Sequence, residues 1–143
     1  MFVILRLKSC KVMDIDFALF RGKSDKSGAW VFGNLVTSGS FCYIVDFYNK
    51  KKPIVVKVIS DTVSIYSGIT DRYGNKIFSG DYVSVEFPGF YSVEEVVFCD
   101  GSFFTKDLSG KHRYLLSRFC SLDLFIFGNI FDTNDARGGI VNV

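Results

Sequence analysis

Few side chains in this sequence have the types and spacing that chemistry needs. Asp71 and Asp81, and the adjacent Glu94 and Glu95, are carboxylate pairs of the kind used for acid–base work. Neither spacing is specific to that role. A calcium loop supplies several close oxygens and a bidentate Glu, whereas the stretch 71–81 carries Arg72 and Lys76 and no Glu. A thiol–imidazole pair requires the single histidine, His112, beside Cys99 or Cys120. His112 lies in the charged run Lys111-His112-Arg113, which reads as exposed. Cys10, Cys42, Cys99 and Cys120 form no CxxC pair, so no zinc is expected, and their apolar surroundings read as reduced core thiols. Phosphate-cradling glycine motifs are also missing. The reading is a non-catalytic protein with no cofactor and no metal, an unrecognised hydrolase being the alternative.

Two basic clusters are the better candidates for contact with a ligand or partner. Lys50, Lys51 and Lys52 precede Pro53 at an expected hairpin tip, and Lys111, His112 and Arg113 form the second cluster. Tyr73 and Tyr114 add rings that stack on a base while the cations hold phosphates. A nucleotide-signal or nucleic-acid-binding module is therefore an alternative function. The charge balance opposes it: 17 basic against 15 acidic residues leave a net charge of +2, short of a strongly basic face.

The elements that carry these residues follow from composition. The 143 residues are 48% hydrophobic, with 16 Phe, 7 Tyr and one Trp. That excludes intrinsic disorder and fits one domain with a sizeable core. Helix formers are scarce: three alanines, three glutamates and no glutamine. Branched and aromatic residues suit a pleated, half-buried surface. The predicted fold is mainly β, a small twisted sheet or SH3-like partly open barrel. Strands are predicted at Trp30 to Val36, Phe41 to Tyr48, Ile54 to Ile59, Thr62 to Ser67, Tyr82 to Phe87, Val93 to Phe98 and Leu124 to Phe131. Gly33 inside its strand signals a bulge or a close backbone approach. Asp100-Gly101 signals a tight hairpin. Leu115, Leu116, Phe119 and Leu122 recur at helical spacing, which predicts one short helix near residues 112 to 120. The aromatic content exceeds what a small barrel buries, so an exposed apolar patch or edge strand that drives self-association is expected. The apolar start, Met1 to Leu5, is too short for a membrane span and has its cations behind it, unlike a secretory signal. A cytoplasmic protein without membrane contact is expected.

Several segments, in order, resemble one family. Phe20-Arg21-Gly22-Lys23 and Gly28-Ala29-Trp30-Val31-Phe32-Gly33-Asn34-Leu35-Val36 are similar to the opening of the YopX family of phage and prophage proteins. Asp61-Thr62-Val63, then Tyr66-Ser67-Gly68-Ile69-Thr70-Asp71-Arg72-Tyr73-Gly74-Asn75-Lys76-Ile77-Phe78-Ser79-Gly80-Asp81-Tyr82-Val83, resembles its central signature, with a DxxGK-type loop and a Gly-Asp pair before a valine. Phe127-Gly128-Asn129-Ile130-Phe131-Asp132 resembles its closing strand. Ser67 and Ile69 stand where the family usually has Thr and Leu, and the segment from Lys106 to Ser121 is atypical. The resemblance covers residues 20 to 132 of a single domain at 1–143. Residues 1–12 are read as an N-terminal extension and 132–143 as a polar tail. It implies a β-rich phage-encoded accessory protein and supplies no catalytic residue. With no catalytic machinery evident, the expected activity is binding, with a host protein as partner, such as a CRISPR-type antiviral component.

Overall fold

The computed structural model describes residues 19–46 and 52–132. The N-terminal extension and nearly all of the polar tail lie outside these residues, as do Lys50, Lys51 and Cys10. The described chain is mainly β. Eleven strands form two antiparallel sheets.

The first sheet contains β1 (Phe20–Lys23), β2 (Trp30–Ser38), β3 (Phe41–Asp46), β4 (Ile54–Val58), β5 (Ser64–Thr70) and β6 (Lys76–Phe78), in the order β4-β3-β2-β1-β5-β6. It is curled. β2 pairs with β1 up to Gly33 and with β3 from Asn34 onward, so the chain changes partner at the glycine. A Cβ at Gly33 would lie 2.1 Å from the Val45 carbonyl oxygen. The strand therefore bends where only a residue without a side chain lets the two backbones meet. Farther along, Ser24 bridges Val58, and the Ile59 N–H donates to the Lys23 carbonyl at 2.8 Å. β4 thus returns to the end of β1 without a closed barrel. Ile44 and Val58 are buried inside this curl.

The second sheet has the order β10-β9-β8-β7-β11, from β7 (Asp81–Phe87), β8 (Phe90–Cys99), β9 (Ser102–Asp107), β10 (Arg113–Leu115) and β11 (Leu124–Asn129). Its strands alternate as half-buried strands should. Val83 and Val85 are fully buried and join Val96, Leu124, Leu116 and Ile77 in the main core. Ile77 belongs to the first sheet, so this core spans both. Asp100 and Gly101, both at positive φ (51° and 77°), make the expected tight turn between β8 and β9.

The expected helix near residues 112 to 120 is replaced by the short strand β10 and two single 3₁₀ turns, Leu116–Arg118 and Ser121–Asp123. The spacing of three and four does not mark one face. Leu116 is buried in the core, Phe119 packs against Phe87 and Tyr114, and Leu115 and Leu122 face solvent. Tyr114 instead pairs with Thr105 on β9. The thiols also depart from expectation: Cys42 and Cys99 are half-buried and Cys120 is exposed. Among the described residues, no helix is long and apolar enough to cross a membrane.

Gly33→Ala should lower stability by about 3 kcal/mol, the range of a forced overpacking. Urea denaturation measures it, and an unchanged midpoint would show that β2 bends for another reason.

A candidate aromatic groove and the joint that builds it

The family-signature residues form a joint between the sheets. Arg21 on β1 and Asp81 at the start of β7 are both buried, and Arg21 Nη2 donates to Asp81 Oδ1 at 2.7 Å. The guanidinium lies 4.4 Å from the Trp30 ring centre and 4.8 Å from that of Phe78, two rings that suit a planar, weakly hydrated cation. Asp81 Oδ2 accepts the Phe78 N–H at 2.8 Å. Gly80 (φ 86°) sends its N–H to the Val96 carbonyl and receives the Ile130 N–H, and a Cβ there would come within 2.8 Å of Phe131. The Gly-Asp pair thus touches β1, β6, β8 and the segment after β11 at once. Burial pushes the Asp81 carboxyl above its ordinary value, although the Arg21 charge and the Phe78 N–H pull it down.

A second contact closes the same joint from the far end of the chain. The Asp132 carboxylate accepts from Trp30 Nε1 (3.0 Å) and Asn129 Nδ2 (2.6 Å) and is paired with the Lys23 ammonium. Burial raises its pKa, but these donors outweigh burial and bring it down to about 2.

The DxxGK-type loop is pinned in a comparable way. Asp71 is buried. Its Oδ1 accepts the backbone N–H groups of Tyr73 and Asn75, both at 2.9 Å, and its Oδ2 accepts those of Ile126 (3.2 Å) and the Asn75 amide (3.3 Å). Burial raises the Asp71 pKa, but the four hydrogen bonds together leave it lowered. The Arg72 N–H donates to the Leu124 carbonyl at 2.9 Å. The loop therefore caps the open edge of β11 and fixes the next two side chains, Arg72 and Tyr73, over the outer face of the second sheet.

An open groove of about 580 Å³ lies there, lined by Arg72, Tyr73, Ser84, Glu86, Phe90 and Phe125 with Phe87, Gly89 and Tyr91. Ser84 and Glu86 form its floor, facing away from buried Val83 and Val85, and pair across to Phe125 and Tyr91 respectively. Tyr73 packs edge-on against Phe125 (5.8 Å), and Phe87 stacks on Phe90 (5.0 Å, 14° between planes). Phe90 is 62% exposed and Tyr91 71%. Arg72 Nη2 lies 3.2 Å from Glu86 Oε2, so the one cation and one carboxylate of the groove satisfy each other.

Of the residues singled out from sequence, Tyr73 lines this groove. Tyr114 is half-buried behind it, 5.9 Å from Phe87. Lys111 and His112 are exposed at the turn between β9 and β10, where the Asp107 carboxylate accepts the His112 N–H. Arg113 lies over the Phe104 ring at 4.1 Å and donates to Cys99 Sγ. Lys52 is exposed just before β4, on the other sheet; Lys50 and Lys51 lie outside the described residues. The described residues of the two basic clusters therefore lie apart, Lys52 beside the first sheet and Lys111 to Arg113 on the second. Among the described residues, no cluster of three or more His, Cys, Asp or Glu side chains is arranged to hold a metal.

Phe90, Tyr91, Phe125 and Glu86 are not singled out by the sequence, and Arg72 stands out there only as a charge that opposes a calcium loop. A signal for two of them was present: Phe90-Tyr91 directly follows the Pro88-Gly89 turn, and two large apolar rings at a hairpin tip are unusual where polar residues are the rule.

Fold and site together define a mainly-β, two-sheet protein whose signature carboxylates serve architecture and whose aromatic groove is left open. The family model described as YopX protein matches residues 18–135. The chain belongs to the YopX family, which points to a phage or prophage protein. No curated protein matches it.

Two predictions test the joint. Asp81→Ala, which leaves a buried guanidinium without its carboxylate, should cost about 3–5 kcal/mol in urea denaturation; a loss under 1 kcal/mol would show that the pair is incidental. Because Asp132 and Asp71 titrate below their unfolded value of 3.8, the stability they contribute is full above that value and is lost as pH falls below it, for Asp132 toward about 2. Fluorescence of Trp30, the single tryptophan, should shift between pH 4 and 2, and Asp132→Asn should remove that step. A step that survives the substitution would assign it elsewhere.

Proposed function

We propose that this YopX-family protein is a non-catalytic phage or prophage accessory protein that binds a host protein through the aromatic groove. The observation that carries this reading is the convergence of Tyr73, Phe87, Phe90, Tyr91 and Phe125 with Arg72 on one concave surface. Exposed Tyr, Phe and Arg around a cleft are what anchor protein interfaces, since rigid rings bury much area for little entropy. The charges of the groove favour a protein over a polyanion: Arg72 is already engaged by Glu86, and Glu86 opposes a phosphate placed beside it. The carboxylates at catalytic-looking spacing, Asp71 and Asp81, are each held by several donors, which supports binding over catalysis. Family membership supports a partner in the infected host, and we propose an antiviral defence component of CRISPR type.

The test pairs capture with function. Tagged full-length protein should recover a defined effector component from defence-active host lysate and protect a targeted plasmid from interference. Phe90→Ala/Tyr91→Ala should weaken both by tenfold or more, while Phe98→Ala, an exposed ring outside the groove, should leave both intact. Protection that is absent in the wild type, or unaffected by the groove substitutions, would overturn the proposal.

A further inference from the structure

The outer face of the first sheet carries a second apolar surface that the groove does not use. Along β2, β3 and β4 the register places Val36 beside Tyr43, Tyr43 beside Lys57, and Val45 beside Val55. These side chains point away from buried Ile44 and Val58. Val55 is 62% exposed, Phe41 50% and Val36 49%. One face of three neighbouring strands thus exposes Val36, Phe41 and Val55 together, with Asn34, Ser38 and Lys57 at its polar margin, more apolar surface than a monomer's sheet normally leaves open.

Pairing through the β4 edge is limited at both ends. Pro53, just before β4, has no N–H to offer. At the other end, the Asp25 N–H already donates to the Lys57 carbonyl at 3.2 Å. Blunted edges of this kind resist strand addition, which leaves the face itself as the contact surface.

The rim indicates what covers it. Lys57 Nζ lies 4.2 Å from the centre of the Phe41 ring and 3.7 Å from Asp25 Oδ2, with both charged side chains partly open to solvent. A patch bearing one cation and one carboxylate side by side is complementary to itself when turned by a two-fold rotation, because each charge then meets its opposite. The net charge of +2 adds little repulsion between copies.

We infer that the outer face of β2–β3–β4 is a homodimer surface, with the two-fold axis beside Lys57, so that each Lys57 meets Asp25 of the second copy around an apolar centre of Val55, Phe41 and Val36. This surface lies on the opposite sheet from the groove and stands or falls independently of the groove's function. Sedimentation velocity of the full chain tests it, at about 50 μM, where a contact of modest size is populated. The wild type should sediment as a dimer and Val55→Glu as a monomer with unchanged thermal melting. Lys57→Glu and Asp25→Lys should each weaken the dimer by at least fivefold, and an equimolar mixture of these two variants should form a heterodimer again. A wild type that stays monomeric, a dimer unaffected by Val55→Glu, or a mixture no more associated than its components would overturn the inference.

Discussion

A buried guanidinium held between two aromatic rings and met by one carboxylate is the contact on which the rest of this architecture depends. Arg21 and Asp81 are 60 residues apart in sequence and belong to different sheets. Each would be costly to bury alone; together, with the Phe78 N–H and the Trp30 and Phe78 rings around them, they define one register between the sheets. An apolar pair could fill the same volume. It would not distinguish this docking from one shifted by a residue, and that directional demand is what an ion pair adds to a core otherwise built from Ile77, Val83, Val85, Val96, Leu116 and Leu124.

The joint also accounts for the groove. Once Asp81 fixes the start of β7, the alternation of that strand sends Val83 and Val85 inward and Ser84 and Glu86 outward. Asp71 then seats the loop after β5 on β11, which lowers Tyr73 onto Phe125 and brings Arg72 within reach of Glu86. Two structural carboxylates, neither of them a lining residue, therefore position this surface. The polar chemistry of Asp71 and Asp81 is spent on backbone N–H groups, the Asn75 amide and one guanidinium, while much of the aromatic excess of the composition is left at the surface, on the groove and on the outer face of the first sheet.

The mainly-β character was legible because composition and two-residue alternation agree over long stretches, as in Tyr82 to Phe87. The bend at Gly33 was legible for the same reason: a glycine interrupts a strand pattern there, and its cause is the Val45 carbonyl. The segment 112 to 120 was misread because four apolar residues at helical spacing serve different surroundings, a fact set by β9 and Phe87 and absent from local pattern. Asp81 accepts the Phe78 N–H within its own turn, a bond that a Gly-Asp pair before a strand makes easy to expect. Its larger role was invisible, since nothing in a linear pattern pairs it with Arg21. The groove was hidden for a similar reason. Tyr73 drew notice beside charged residues, but Tyr91, Phe125 and Glu86 become neighbours only through the pairing of β7 with β8 and β11.

Native-state hydrogen exchange tests the coupling of the sheets most directly. The slowest amides of β1 and β5 and those of β7 and β8 should share one opening free energy and respond together to low denaturant, because the Arg21–Asp81 joint makes them a single cooperative unit. If the two groups open with free energies differing by more than about 2 kcal/mol, or if one group keeps its protection while the other exchanges, the sheets are independent and the joint does not govern the fold.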